Sequence, residues 1–328
     1  LIRKERKLPI MIRKLEALQR RLPISHPARK KVDEELAKCY AGFRGELSID
    51  YQLSFLEGEY EIFHDIRIPF RESSFFQMDI LFVTTRFLLI IEVKNIAGIL
   101  FFEPNFHQLI RTMNEKEDIF PDPILQVKKH MFQLQAWLKH HQLPLLPIEA
   151  LVVISNPSTL IRTNPHYENI YRIVTHAANL PTKVSTINSN FQNELWTKKD
   201  LCKMLRLVQK EHTEADYDIL NRFQIASSVL LTGILCLDCH DAVLMRKRER
   251  WLCPRCGKSF KNAHIQALMD YRLLIGPTIT NEQLRSFLGI SSVNKASKLL
   301  VSLNLHSSGA KRNRVYHLSL DELMRYLS

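Results

Sequence analysis

The stretch FLLIIEVKNIAG, residues 87–98, decides how the chain is read. Its apolar run predicts a strand buried on both faces. Glu92 and Lys94 stand in it two residues apart, so a strand directs both side chains to one side. Burying such a charge costs on the order of several kcal/mol unless something compensates it. The neighbouring sequence has to supply that compensation.

Immediately before it, QMDILFV (77–83) and a short turn at TTR predict a second strand, joined to the first as a hairpin. A turn of three or four residues sets Asp79 opposite Ile91 or Glu92, and opposite residues lie about 5 Å apart at Cβ. The four-residue turn, or a bulge, brings both carboxylates to one face. Carboxylates that close repel each other unless they share a proton or a cation. An all-oxygen pair suits Mg²⁺ or Mn²⁺. Lys94 beside them could stabilise a pentavalent phosphate or position an attacking water, which is the chemistry of phosphodiester hydrolysis. The same spacing also fits a plain carboxylate–lysine ion pair at a strand end, without catalysis.

Farther out, residues 29–57 carry apolar residues at helical spacing (Leu36, Tyr40, Phe43, Leu47, Tyr51) and predict a helix. YEIFHDIRIPF (60–70) predicts a strand ended by Pro69, and ILFF (99–102) an edge strand. A helix follows from Pro123 to His141, with Ile124, Val127, Met131, Leu134 and Leu138 on one stripe. ALVVIS (150–155) is a further buried strand. Helix, strands, helix, strand describes a mixed α/β domain.

Four blocks in this order, GFRGE (42–46), QMDILFV, FLLIIEVKNIAG and DPILQVKKHMFQLQAWL (122–138), resemble the nuclease-related domain, NERD, of the PD-(D/E)XK nuclease superfamily. The resemblance covers about residues 40–155. It implies a restriction-endonuclease-like mixed sheet flanked by helices and a divalent-metal DNA-cleaving or DNA-processing role. It further implies Asp79 and Glu92 as ligands of Mg or Mn and Lys94 as the catalytic lysine. Glu46 matches the superfamily's additional acidic position, and Gln126 a polar support on the helix after the hairpin. Met78, rather than proline, precedes Asp79.

CLDCHDAVLMRKRERWLCPRCGKS sets Cys236-x-x-Cys239 and Cys253-x-x-Cys256 thirteen residues apart. Without a secretion signal, paired cysteines point to metal rather than disulfides. Four thiolates at this spacing fit tetrahedral Zn²⁺ and leave no open coordination position, so the ion is expected to be structural. The segment resembles a zinc ribbon, with RKRER on its hairpin. His240 and His264 are nearby spares, and Cys39 and Cys202 read as small core residues.

Beyond it, a helix is expected at about 261–275, and then TITNEQLRSFLGISSVNKASKLLVSLNL predicts a helix capped by Thr280 with Gln283 and ended by Gly289. A second helix follows from Ser291 or Ser292. NLHSSGAKRNRVYHLS adds two brief strands around a basic tip. The whole resembles a winged helix, with Ser292, Asn294, Lys295 and Lys298 near a DNA groove and Lys311, Arg312 and Arg314 on the wing. A small helical protein-interaction domain is the alternative.

The chain's 328 residues therefore divide into a basic helical segment (1–36), the nuclease-like domain (37–185), a helical connector (186–232), the zinc ribbon (233–261) and the winged-helix-like domain (262–328). Net charge is +12 and uneven: residues 1–38 hold 12 basic and 5 acidic residues, and residues 240–328 hold 15 and 6. Such ends suit a polyanion, or a solvated basic surface. With 45% hydrophobic and 24% charged residues the composition is that of an ordinary globular protein. No apolar run approaches the roughly 18 residues of a membrane span. The basic N-terminus lacks a signal peptide's apolar core, so a cytoplasmic location is expected. The chain opens on Leu1, and an initiator methionine is expected upstream. The expected function is a metal-dependent DNA-processing nuclease held on DNA by its C-terminal modules. The alternative is a DNA-binding or regulatory protein whose nuclease-like domain is inactive.

Overall fold

The computed structural model describes residues 1–72, 74–164, 167, 170–239, 242–248, 250–310 and 313–327. The chain divides into two compact units, one of residues 1–8 with 40–215, the other of residues 9–39 with 216–328. Its first elements are strand β1 (Ile2–Lys4), helix α1 (Ile10–Arg21) and helix α2 (Arg29–Leu53). Among the described residues no helix is long and apolar enough to cross a membrane.

The first unit continues with β2 (Glu61–Phe70), β3 (Ser74–Val83), β4 (Leu88–Lys94), β5 (Ile99–Glu103), β6 (Gln108–Met113), β7 (Lys116–Pro121), α3 (Pro123–His140), β8 (Ile148–Ile154), β9 (Leu160–Thr163), α4 (Ile170–Ile173), β10 (Val174–His176), α5 (Leu180–Asn190) and α6 (Lys198–Glu211). Its main sheet has the order β1-β2-β3-β4-β8-β10. β3 runs antiparallel to β2 and β4, whereas β4, β8 and β10 are parallel. This mixed sheet is covered on both faces, which explains the unbroken apolar runs of β4 and β8.

Alternation along β4 sorts the two cores. Leu88 and Ile90 join Leu81, Val83, Val152 and Ile154 beneath α3 and α6, where Ile124, Val127, Leu134, Met204 and Val208 are buried. Leu89, Ile91 and Val93 face Ile49 and Leu53 of α2 and Leu180 and Val184 of α5. By the same alternation Glu92 and Lys94 belong to the α3 face, whereas on β3 the alternation breaks next to Asp79, since Met78 and Leu81 both join the α3-side core. α3 begins there because Asp122 caps it, accepting the Ile124 N–H at 2.8 Å, and Pro123 occupies its first turn.

Two expectations are corrected. β2 runs through Pro69, which pairs with Phe75 on one side only, because β1 reaches no farther than Phe63 along the other. Residues 99–102 are not an edge strand: β5 lies inside a second sheet of order β7-β6-β5-β9.

The second unit holds α1 and the N-terminal part of α2, then α7 (Ile219–Arg222), β11 (Met245–Lys247), β12 (Arg250–Leu252), β13 (Ser259–Phe260), α8 (Ala263–Leu274), β14 (Thr278–Thr280), α9 (Asn281–Leu288), α10 (Val293–Ser302), β15 (Ser307–Ser308), β16 (Val315–His317) and α11 (Leu320–Met324). α8 is buried nearly all round, and Arg21 and Arg20 of α1 converge on its Asp270, each at 2.8 Å. β11, β12 and β13 form a small antiparallel sheet, and β14, β16 and β15 another. Thr280 and Gln283 make the expected capping box, and Gly289 closes α9 in the left-handed region at φ 68°.

Candidate active site and metal centre

The turn between β3 and β4 holds four residues, Thr84 to Phe87, and Val83 pairs with Leu88. Thr84 Oγ1 accepts the N–H groups of Arg86 and Phe87, which fixes the turn. Continuing the register from Ile80↔Ile91 sets Asp79 opposite Glu92. At that point the ladder gives way, and Asp79 Oδ2 accepts the Val93 N–H at 2.8 Å in place of a strand carbonyl.

Glu92 is 3% exposed. Its Oε1 accepts the Lys94 ammonium at 2.7 Å and the Gln126 amide at 2.7 Å, and Lys94 also donates to Gln126 Oε1 at 3.1 Å. Glu92 Oε2 is buried without a hydrogen-bond partner. Leaving such an oxygen unsatisfied costs about 1–3 kcal/mol, more for a charged group. Burial pushes the Asp79 carboxyl well up, and the Glu92 and Glu46 charges push it further. Burial likewise raises Glu46, to about 7; the Arg6 guanidinium opposes this, while Asp65 and Glu92 add to it.

The structure thus brings Glu92, Lys94 and Gln126 into direct contact, with Asp79 in the opposite strand position and Glu46 within electrostatic reach. Glu46 reaches this corner through Gly45. A Cβ there would overlap Asn95 Cβ and come within 2.7 Å of Ser155 Oγ, so glycine lets α2 close on the C-terminal ends of β4 and β8. The residues fit a divalent cation in donor chemistry: all-oxygen ligands, an orphaned buried carboxylate oxygen on Glu92, and two further acids, Asp79 and Glu46, raised by burial and then by neighbouring carboxylate charge. Among the described residues Asp79, Glu92 and Glu46 are not drawn together as tightly as the four cysteines.

Sequence reasoning missed the neighbours of Glu46. Arg6 donates to Glu46, to both oxygens of Asp50 and to His64 Nδ1. It missed as well His130 and Gln133, whose Nδ1 and Oε1 are buried without partners on α3. The spacing 126, 130, 133 along an otherwise apolar helix face was the available signal.

The four cysteine sulfurs lie within 4.8 Å of one another, Cys236 facing Cys256 at 3.8 Å and Cys239 facing Cys253 at 3.9 Å. Each pair forms a knuckle in which the second cysteine's N–H points at the first one's sulfur, at 3.4 and 3.5 Å. Gly257, at φ 70°, turns the chain after the second knuckle. This cluster could hold one zinc ion, consistent with a zinc ribbon.

In the C-terminal part Ser292 Oγ caps α10 by accepting the Lys295 N–H at 3.3 Å. Asn294, Lys295 and Lys298 lie on its exposed side, opposite buried Ala296, Leu299 and Leu300, and Arg314 is exposed just before β16. Lys311 and Arg312, expected on the same tip, and His240 lie outside the described residues.

No curated protein and no solved structure matches the chain. A family model does match a third of it, in the segment that holds β4, α3 and all five residues of the candidate site: residues 41–155 are a nuclease-related domain.

Proposed function

We propose that this domain hydrolyses phosphodiester bonds in DNA with a divalent cation, Mg²⁺ or Mn²⁺, held by Asp79 and Glu92. The observation that carries the reading is the buried, unpartnered Glu92 Oε2 beside a second carboxyl pushed up by burial. The cation would supply Lewis acidity for the phosphate and an acidified water. Lys94, a quarter exposed, is held between Glu92 and Gln126, where its charge can orient a water or meet charge developing on the phosphate. Gln126 fixes both partners at once. Glu46, with a carboxyl near neutrality, can exchange a proton with solvent water at the rim.

The zinc ribbon and a winged-helix-like C-terminal domain would hold the nucleic acid. Exposed Asn294, Lys295, Lys298 and Arg314 and the basic strand Met245–Lys247 support that part. A cytoplasmic location accords with this role.

Incubation of the protein with labelled single- and double-stranded DNA in Mg²⁺, Mn²⁺ or EDTA tests the reading, with Glu92→Gln and Lys94→Ala alongside. Metal-dependent cleavage lost in both variants is expected. Binding without cleavage would give the lead to an inactive, DNA-binding domain in which Glu92 and Lys94 are a structural pair.

A further inference from the structure

The candidate site extends beyond the matched segment. Arg6 stands outside residues 41–155, and its side chain is only 3% exposed. A buried arginine costs several kcal/mol, as an order of magnitude, unless its donors are met. Here its Nη1 goes to Glu46, its Nε and Nη2 to the two oxygens of Asp50 at 3.3 and 3.1 Å, and Nη2 also to His64 Nδ1 at 2.8 Å. Glu46 and Asp50 are four residues apart on α2, so one guanidinium clamps two carboxylates on one helix face. With Nδ1 accepting from Arg6, His64 is the neutral tautomer with its proton on Nε2.

The segment that delivers Arg6 is itself fastened. β1 pairs in parallel with β2, Arg3 grips the Glu61 carboxylate at 2.7 and 2.8 Å, and Lys4 donates to the carbonyls of His64 and Asp65 at 2.8 and 2.9 Å. Holding α2 against β2 would need only the Asp50 contact. The additional donor is spent on Glu46, the carboxylate whose charge reaches Asp79 and is itself felt from Glu92.

We infer that Arg6 is a positioning residue of this site, holding Glu46 in the place from which it serves a cation bound by Asp79 and Glu92. The inference rests on the proposed function, because it presumes that cation.

Mn²⁺ binding to the full chain, loaded with zinc and followed by electron paramagnetic resonance, separates the two. The wild type is compared with Glu92→Gln, Arg6→Met, Arg6→Lys and Arg3→Ala. Arg6→Met is expected to bind Mn²⁺ at least about tenfold more weakly, the range for residues that orient metal ligands. Arg6→Lys should fall between it and the wild type, since an ammonium restores the charge but not the clamp. Arg3→Ala, which breaks the pair with Glu61 on the strand just before Arg6, should bind as the wild type does. Wild-type affinity in Arg6→Met, tighter binding there, or an equal loss in Arg3→Ala would each overturn the inference. If Arg6→Met does not fold, Arg6→Lys decides: weaker binding at an unchanged melting temperature supports the inference, and wild-type binding overturns it. A wild type whose Mn²⁺ binding is the same in Glu92→Gln would instead remove the proposed metal site, whatever Arg6 does.

Discussion

The amide nitrogen of Gln126 lies 2.7 Å from Glu92 Oε1, joining the first turns of α3 to the strand that ends the central hairpin. The contact holds Glu92 by one oxygen and leaves the other buried and unpartnered. Glu92 is therefore poised toward a positive charge that Lys94, already bound to Oε1, does not supply. Function and stability should pull apart at this residue.

Glu92→Gln removes a buried charge while keeping shape, and Lys94 is exposed enough to stay hydrated. The melting temperature is expected to stay level or rise by a few degrees, with cleavage abolished. Lys94→Ala does the opposite to stability. It strips the partner from a carboxylate only 3% exposed, at a cost of about 3 kcal/mol. Part of that loss should return on adding Mn²⁺, which a melting curve with and without the ion would register. No recovery would count against a cation at Glu92.

Gly45 supports the same corner from α2. Gly45→Ala forces a methyl into Asn95 and Ser155, and overpacking of this kind costs about 1–3 kcal/mol. The helix must shift to admit it, carrying Glu46 with it. Urea unfolding should report the destabilisation, and DNA cleavage should fall by more than Gly42→Ala causes, where a Cβ meets nothing within 4 Å.

How much of this was legible beforehand differs by element. β4 and β8 were plain because strands covered on both faces are apolar throughout, and the cap of α9 was local. Whether Asp79 meets Ile91 or Glu92 was open, because only the bonds of Thr84 settle a four-residue turn. β6 and β7 went unread for a definite reason. Their turn is Asn114-Glu115, both at positive φ (51° and 60°), with no glycine to announce it, and β7 is almost wholly exposed. Arg6 could not be found at all by pattern. Its partners lie 40 to 58 residues away, and nothing local marks an arginine as buried.

The cysteine cluster makes a prediction about folding. Chelation, or Cys253→Ser, should loosen the ribbon, because its two knuckles are held to each other through the metal, and should disturb the apolar cluster that Trp251 and Leu244 share with α8. Trp251, 4% exposed, would then shift its emission to the red. Elemental analysis of the untreated protein should give one zinc per chain, and sulfur-only coordination by X-ray absorption.

His264 adds a pH dependence with a definite sign. Burial, and secondarily the charge of Arg246, lowers it to about 4, and its Nδ1 accepts the Trp251 indole N–H at 3.2 Å. In the unfolded chain it takes a proton near its ordinary 6.5. Between those values the unfolded state binds more protons, so the stability contributed above pH 6.5 is lost as pH falls toward 4, by about 3 kcal/mol. Urea titrations at pH 7.5 and 4.5 should show that loss shrinking in His264→Phe. An unchanged pH dependence would mean that the imidazole is already charged in the folded protein.

The last prediction concerns α10. Lys295 and Lys298 share its exposed face with Asn294, one turn apart, so phosphate contacts made by one are within reach of the other. If this face meets the DNA backbone, replacing both lysines with alanine releases about two fewer counterions on binding. The slope of log K against log salt should then become less negative by about 2, with affinity falling alike for every sequence. Asn294→Ala would behave differently if it reads a base edge: the salt slope stays and preference among sequences weakens. A double lysine variant whose slope matches the wild type would place the nucleic acid elsewhere and favour a protein partner for this helix.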